Sequence, residues 1–287
     1  MSDVVVIGGA NIDIKAKPIG HHRLGTSNPG IVTTTAGGVG RNIAHNLARL
    51  GASVSLISAV GDDAHGDAVL RMTQIVGVDI SLVNREPVPT GTYVALLDNV
   101  GELISAVSDM RILDLLTPDS IHQHAGRLNK AKFVIADCNL PLDSLVALAN
   151  FCGPKLAIEP VSVQKSRKLL AAMKSAPVFL ATPNLDQIDS LFGTRNIERG
   201  LLELHRLGLQ NAVIHAGSEG AFVSDGDSLE HVAPADDTKV QDVTGAGDAA
   251  LAGLIFGLLQ GESLLKAAEL GQAMAAKVIA STNSTLE

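Results

Sequence analysis

The chain has 287 residues, 46% of them hydrophobic and 18% charged, a balance that suits a globular protein with a sizeable core and excludes a disordered one. Lys and Arg number 22 against 30 Asp and Glu, a formal charge of −8, which excludes broad nucleic-acid binding by phosphate neutralisation. Aromatic residues at 2%, with no Trp, exclude a groove of stacked rings. Cys138 and Cys152 build no disulfide framework and lack zinc spacing, so a reducing cytoplasm is the expected compartment. The N-terminus has no basic leader, and the longest apolar stretch, 249–259, is too short to span a bilayer.

The first predicted strand, 4–7, runs into Gly8-Gly9-Ala10-Asn11-Ile12-Asp13. It begins like a dinucleotide fold, but the third glycine is missing and no acidic residue closes a second strand about 20 residues on. What the strand delivers is Asn11 and Asp13, which point the same way if the chain stays extended and can then hold adjacent hydroxyls. After the turn Asn28-Pro29-Gly30, the β-branched run 30–35 reads as a strand. Ala36-Gly37-Gly38-Val39-Gly40-Arg41-Asn42 then opens an amphipathic helix over 41–51, with Ile43, Leu47 and Leu50 on one face and Gly51 at its cap. Gly38 lets the backbone approach a ligand, and Asn42 adds an amide one turn in. Strand 54–59 and helix 63–77, with Val69, Met72 and Val76 on its apolar face, repeat the βα rhythm. Segments 91–97 and 102–107 break it: they are strands without a helix between them, and with 30–35 they predict a small β lid. Strands at 133–137, 156–159, 178–182 and 212–215 complete a parallel sheet with crossover helices. The expected fold is α/β, a central mostly parallel sheet between helical layers, as one domain over 1–287 with lid strands around 14–36 and 91–108.

Asp242-Val243-Thr244-Gly245-Ala246-Gly247-Asp248 is the most informative segment. Gly245, Ala246 and Gly247 precede an apolar helix, so their N–H groups form an anion hole reinforced by the helix dipole. A carboxylate beside such a hole suits removal of a proton from a hydroxyl while the hole stabilises a phosphoryl group in transfer; the alternative is an N-terminal Asp that only favours the dipole. No Gly-x-x-x-x-Gly-Lys-Ser/Thr, His-Glu-x-x-His or Gly-x-Ser-x-Gly occurs, which removes P-loop, metalloprotease and serine hydrolase readings. His21-His22 and His122-x-His124 lack the carboxylates or cysteines of a metal site and read as surface residues.

Together, Asn11-x-Asp13, Gly37-Gly38-x-Gly40-x-Asn42, Val60-Gly61-Asp62-Asp63-x-x-Gly66 and Asp242-x-Thr244-Gly245-Ala246-Gly247-Asp248 resemble, over essentially the whole chain, the ribokinase-like carbohydrate kinases of the PfkB family. The resemblance implies a ribokinase-like three-layer sandwich and ATP-dependent phosphorylation of a primary hydroxyl on a sugar or nucleoside, with Asp248 as base. It also implies Mg²⁺ and a monovalent cation such as K⁺ near Asp242 and Thr244. Asn184 stands where the family has Asn-x-x-Glu, with Gln187 at the glutamate position; the amide carries no charge for Mg²⁺, and Asp186 and Glu198 lie near in sequence. His215, Gly217 and Gly220 resemble the nucleotide-binding turn, and Asn283 falls where the family closes over adenine. Stretches around Asn28, Gly38 to Asn42, Asp109, Asp137 to Asn139 and Glu159 to Ser162 are most similar to family members that act on pseudouridine. The implied acceptor is its 5′-hydroxyl, with Asn28, Asp109, Asp137 and Asn139 as polar partners for the base. The same residues also suit turns and caps. Ribose, adenosine or a ketosugar acid is the alternative acceptor, and a non-catalytic nucleoside-binding regulator the alternative class. A homodimer joined through the lid is expected, because an isolated small sheet leaves one face uncovered.

Overall fold

The computed structural model describes residues 2–234, 240–281 and 283–287. Its strands are β1 (Val4–Ile7), β2 (Asn11–Pro18), β3 (Gly30–Gly37), β4 (Val54–Gly61), β5 (Asp79–Glu86), β6 (Gly91–Leu97), β7 (Leu103–Asp109), β8 (Phe133–Asp137), β9 (Leu156–Glu159), β10 (Val178–Ala181), β11 (Leu209–His215), β12 (Ala221–Ser224) and β13 (Leu229–Val232). Helices α1 (Val39–Arg49), α2 (Ala64–Gln74), α3 (Pro118–His122), α4 (Ala125–Lys130), α5 (Leu142–Cys152), α6 (Arg167–Ser175), α7 (Leu185–Phe192), α8 (Ile197–Arg206), α9 (Ala246–Leu259) and α10 (Leu264–Ile279) connect them.

Nine strands form one sheet in the order β13-β12-β11-β10-β9-β8-β1-β4-β5. Among the described residues its antiparallel pairs are β11 with β12 and β12 with β13, at one edge. In β1 the side chains alternate between two cores: Val4 and Val6 meet Ile43, Leu47, Val69, Leu251 and Ala267 of α1, α2, α9 and α10. Val5 and Ile7 belong with Ile121, Leu128, Leu145, Leu169, Ile188 and Leu201 of α3 to α8. Both faces are therefore covered, and every residue of β1 is buried, as a central parallel strand requires. The three-layer α/β sandwich read from the sequence is the observed one. On α2, Val69 is buried, whereas Met72 of the expected apolar face is 40% exposed.

The lid is a separate four-stranded sheet ordered β3-β2-β6-β7. The predicted lid segments 30–35 and 91–97 are not neighbours in it: β2 lies between them, antiparallel to β3 and parallel to β6. Asn11 and Asp13 are thus the first and third residues of a lid strand rather than the tip of β1. The Asp63 carboxylate anchors the lid at its base: it caps α2 through the Gly66 N–H at 2.7 Å and accepts the Thr90 N–H at 2.8 Å and hydroxyl at 2.7 Å.

Helices α9 and α10 cross at small residues. A Cβ on Gly253 would lie 2.9 Å from the Gly271 Cα, and one on Gly271 would lie 2.5 Å from the Ala250 carbonyl oxygen. Gly271→Val therefore pushes α9 away from α10, with an expected cost of about 1–3 kcal/mol. In a thermal melt this appears as a fall of about 2–4 °C for each kcal/mol.

Candidate active site

The site is assembled where the C-terminal ends of β1 and β8 meet the start of α1. In-register pairing of Ile7 with Ala136 brings Gly8-Gly9 beside Asp137. The Asp137 carboxylate, fully buried, accepts the N–H groups of Gly9 at 2.8 Å, Gly40 at 2.9 Å and Asn139 at 2.8 Å. The glycines are there so that these backbones can close on it: a Cβ on Gly8 would lie 2.2 Å from an Asp137 oxygen, and Gly38, at φ 97°, has the Gly9 carbonyl 2.4 Å from where its Cβ would be. Asp137, read from the sequence as an acceptor ligand, is instead the knot that holds three backbone segments together. Burial raises its pKa, and the three N–H bonds oppose that rise.

Asn11 donates its Nδ2 to Asp13 at 2.7 Å, so the pair does face one way, as an extended strand requires. Burial raises the Asp13 pKa against the Asn11 hydrogen bond and the charges of Lys15 and Arg41. Across from them, Gly245 takes a left-handed conformation, φ 80°, and starts α9. Its missing side chain leaves room for the Ser284 carbonyl, which a Cβ would meet at 2.0 Å. Ala246 and Gly247 follow in the first turn, where N–H groups lack intrahelical acceptors; the Ala246 N–H reaches back to the Val243 carbonyl at 3.3 Å, and a Cβ position on Gly247 faces open space. Asp248, in that turn and 7% exposed, accepts Nδ2 of Asn42 at 2.9 Å. Its pKa is raised well above the ordinary carboxylate value, by burial and then by the charges of Glu159, Asp137 and Asp13, against the Asn42 hydrogen bond.

Several sequence expectations do not meet this centre. Asn28 sits in the exposed loop between β2 and β3 and bonds its own neighbours, the Arg23 N–H and the Arg23 and Thr26 carbonyls. Asp109 is exposed and ion-paired to Arg111, whose guanidinium holds its pKa down at about 2. Asn139 is present, but its oxygen is held by Lys165, which leaves its Nδ2 beside Gly9. On the nucleotide side, Asn184 caps α7 and closes a reciprocal capping box with Gln187, each bond 2.9 Å. Asn283 bonds its amide to Glu287. Gly220 is a turn glycine whose Cβ would strike the Val232 carbonyl, while Gly217 faces open space. His215 meets Gln272 at 3.2 Å through Nδ1, its buried Nε2 has no partner among the described residues, and burial lowers its pKa to about 4.

The implied cations fit poorly on the residues named for them. The Gln187 side chain is 3% exposed and folded back onto the Asn184 N–H, Asp186 is paired with Arg195, and Glu198 lies in the first turn of α8. One Asp242 oxygen takes the Lys15 ammonium at 2.8 Å and the other the Thr244 N–H at 2.8 Å, so a monovalent cation there would face a like charge. Although burial acts to raise the Asp242 pKa, these bonds hold it below the usual value. Among the described residues, no group of three or more His, Cys, Asp or Glu is arranged to hold a metal.

Lys15 and Lys165 are site groups the sequence reading did not name, and Arg41 and Glu159 fell within quoted motifs without a role assigned to them. Glu159 is buried, accepts the Thr182 hydroxyl at 2.6 Å and the Val161 N–H at 3.1 Å, and has its pKa pushed up to about 7 by burial, against those bonds and with Asp137 adding to the rise. Val161 next to it holds φ 69°, a strained conformation for a β-branched residue. The strain and the buried carboxylate are visible only in three dimensions.

A parallel α/β sandwich with a detached β lid and a buried carboxylate in the first turn of a glycine-led helix defines a small-molecule phosphotransferase. The family model described as pfkB family carbohydrate kinase matches residues 1–287, and the chain belongs to that family of ATP-dependent kinases. It is 36% identical over 257 residues to the pseudouridine kinase of Escherichia coli K12, covering 88% of this chain and 82% of the relative. It is 30% identical over 298 residues to the guanosine-inosine kinase of Exiguobacterium acetylicum, covering 100% and 97%. The Arabidopsis thaliana ribokinase solved with ribose and ATP superposes with a TM-score of 0.85 over 98% of this chain and 94% of that one, at 21% identity, a likeness of fold.

The capping box predicts a contrast. Gln187→Ala removes the acceptor of the Asn184 N–H and lowers stability by about 0.5–1.5 kcal/mol. Gln187→Glu closes the same box and leaves the melting temperature unchanged.

Proposed function

We propose that this kinase transfers the γ-phosphoryl group of ATP to the 5′-hydroxyl of pseudouridine. The observation that carries the chemistry is the Asp248 carboxylate: buried, oriented by Asn42, and set in the first turn of α9 beside Gly245, Ala246 and Gly247. In this reading Asp248 accepts the proton of the 5′-hydroxyl as that oxygen bonds to the γ-phosphorus, and the bond from phosphorus to the bridging oxygen breaks to release ADP. The first-turn N–H groups and the α9 dipole stabilise the charge on the transferring group. Asn11 and Asp13 hold the ribose hydroxyls, and Asn139, its oxygen engaged by Lys165, offers N–H donors to a carbonyl of the base. His215 and Gly217 border the nucleotide. Support for a nucleoside acceptor comes from the two relatives named for nucleosides. A cytoplasmic setting agrees with two buried free cysteines.

The acceptor is tested by ADP release with pseudouridine, guanosine, inosine, adenosine and ribose. The highest kcat/KM is expected with pseudouridine; a higher value with inosine or ribose reassigns the acceptor, and binding without turnover of any acceptor supports a regulator. Asp248→Asn lowers kcat by about 10² to 10⁴ with acceptor affinity nearly unchanged. Because the raised pKa keeps Asp248 protonated in mild acid, the wild-type rate climbs with pH through a range above that of an ordinary carboxylate. Near-normal turnover in a folded Asp248→Asn protein would falsify the role of base.

The lid also supports a homodimer. Strand register puts Val32, Val94 and Val107 on one lid face with Ile14 and Leu96, opposite the face that carries Asp13 and Lys15. These three valines are exposed, and a second lid laid on them buries that face. Sedimentation is expected to show a dimer at micromolar concentration and a monomer after Val32→Lys with Val107→Lys; a wild-type monomer overturns the assignment.

A further inference from the structure

Arg41 lies in α1, 3% exposed, and no carboxylate pairs with it among the ion pairs of the described residues. Its guanidinium is held by neutral groups. Nη1 donates to the Ala36 carbonyl at 3.3 Å and to Asn42 Oδ1 at 3.3 Å, Nε donates to the Thr73 hydroxyl at 3.4 Å, and Nη2 meets His45 Nδ1 at 3.0 Å. The directions of these bonds are fixed by chemistry. A guanidinium only donates, so Nδ1 of His45 is the accepting, unprotonated nitrogen. Nε2 of His45 lies 2.9 Å from the Leu286 carbonyl, an acceptor only, so it carries the proton. One neutral tautomer satisfies both contacts.

The same logic fixes Asn42. With its oxygen toward the donors of Arg41, its Nδ2 donates to Asp248. The flipped amide would set NH₂ against the guanidinium and oxygen against the carboxylate, two repulsive contacts in a buried site. A directed chain therefore runs from the Leu286 carbonyl through His45, Arg41 and Asn42 to Asp248. It is reinforced at its outer end by the Leu286 N–H, which donates to Asn46 Oδ1 at 2.8 Å.

We propose that Arg41 is a positioning residue for phosphoryl transfer: held by His45 on the C-terminal segment, it fixes the Asn42 amide so that an N–H, and not an oxygen, meets the base Asp248. Resting on the assignment of Asp248 as base, the inference adds a residue that touches neither substrate. The charged groups bearing on Asp248 are Asp13 from β2, Asp137 from β8 and Glu159 from β9, while Arg41 itself bears on Asp13. All three carboxylates raise the Asp248 pKa, and the Asn42 hydrogen bond opposes them. Loss of the fixed amide thus moves the Asp248 pKa further up. The chain also explains why His45 stays neutral: a proton on Nδ1 would face the guanidinium, and burial together with Arg41 lowers its pKa to about 4.

The test compares Arg41→Met, His45→Leu and His45→Gln with wild type by kcat, both KM values and the acidic limb of the kcat profile. Arg41→Met is expected to lower kcat about ten- to a hundredfold, with both KM values within about threefold and the acidic limb displaced to higher pH. His45→Leu shifts the same readouts in the same direction, because Arg41 loses its anchor. His45→Gln restores both contacts, with its oxygen toward Arg41 and its amide toward Leu286, and returns kcat to within about threefold of wild type. Wild-type kcat and an unmoved acidic limb in folded Arg41→Met overturn the proposal; if that variant does not fold, the same result in His45→Leu does so. Carbon-detected NMR titration of the Asp248 carboxyl separates this idea from the functional reading. Its pKa rises in Arg41→Met or His45→Leu even if every tested acceptor fails, and an unchanged value overturns the positioning role alone.

Discussion

The whole site depends on one buried carboxylate being answered by backbone. Among the described residues no side-chain cation bonds Asp137, although the Lys165 charge acts on it; its oxygens are held by three N–H groups from the end of β1, the first turn of α1 and its own loop. A carboxylate taken out of water is costly unless such donors surround it, and they can do so only if Gly8, Gly9, Gly38 and Gly40 let the backbones close in. That closure fixes the start of α1 against the sheet. Asn42, two residues past Gly40, is then aimed across the cleft at Asp248, which arrives on a helix from the far end of the chain.

Around this knot, negative charge is concentrated. On top of burial, the charges of Glu159, Asp137 and Asp13 raise the Asp248 pKa, and Asp137 adds to the burial that pushes Glu159 up to about 7. A site with this bias holds a proton readily, and Asp248 is ionised and free to accept one from a hydroxyl only when positive or hydrogen-bonding groups are well placed. The first turn of α9, the Asn42 amide and the buried Arg41 supply that counterweight from three directions. For a phosphoryl acceptor the arrangement is coherent: a base with raised affinity for protons sits beside N–H groups directed at a developing anion.

Much of the fold was legible because its signals are local. Short apolar runs such as Val4–Ile7 and Leu156–Glu159 are buried parallel strands, and the helical period at Ile43 and Leu47 marks α1. Gly245 to Asp248 announced a helix start with a carboxylate in its first turn. The failures share a different cause. Strand β2 has the sequence Asn-Ile-Asp-Ile-Lys-Ala-Lys-Pro and reads as a polar excursion until β3 and β6 flank it. Asp137, Asn184 and Gln187 are chemically able to bind ligands, and only their actual partners, backbone N–H groups, reveal that they bind the protein itself. Asn28 and Asp109 were placed by likeness of short stretches, which carry no information on how far a loop stands from the cleft. The Arg41 network was hidden for the opposite reason: its members at 41, 42 and 45 are near neighbours, but the partners that give them direction lie at 248 and 286.

Lys15 and Asp242 are separated by 227 positions in sequence, and their contact is the place where the lid touches the loop leading into α9. Both side chains keep roughly a quarter of their surface in water, so dissolved ions compete with the bond. The lid's hold on that loop is consequently graded by ionic strength. Hydrogen exchange along β2 reports it directly: amides near Lys15 exchange faster as salt is raised, while those at Asn11, next to the buried base of the strand, keep their protection.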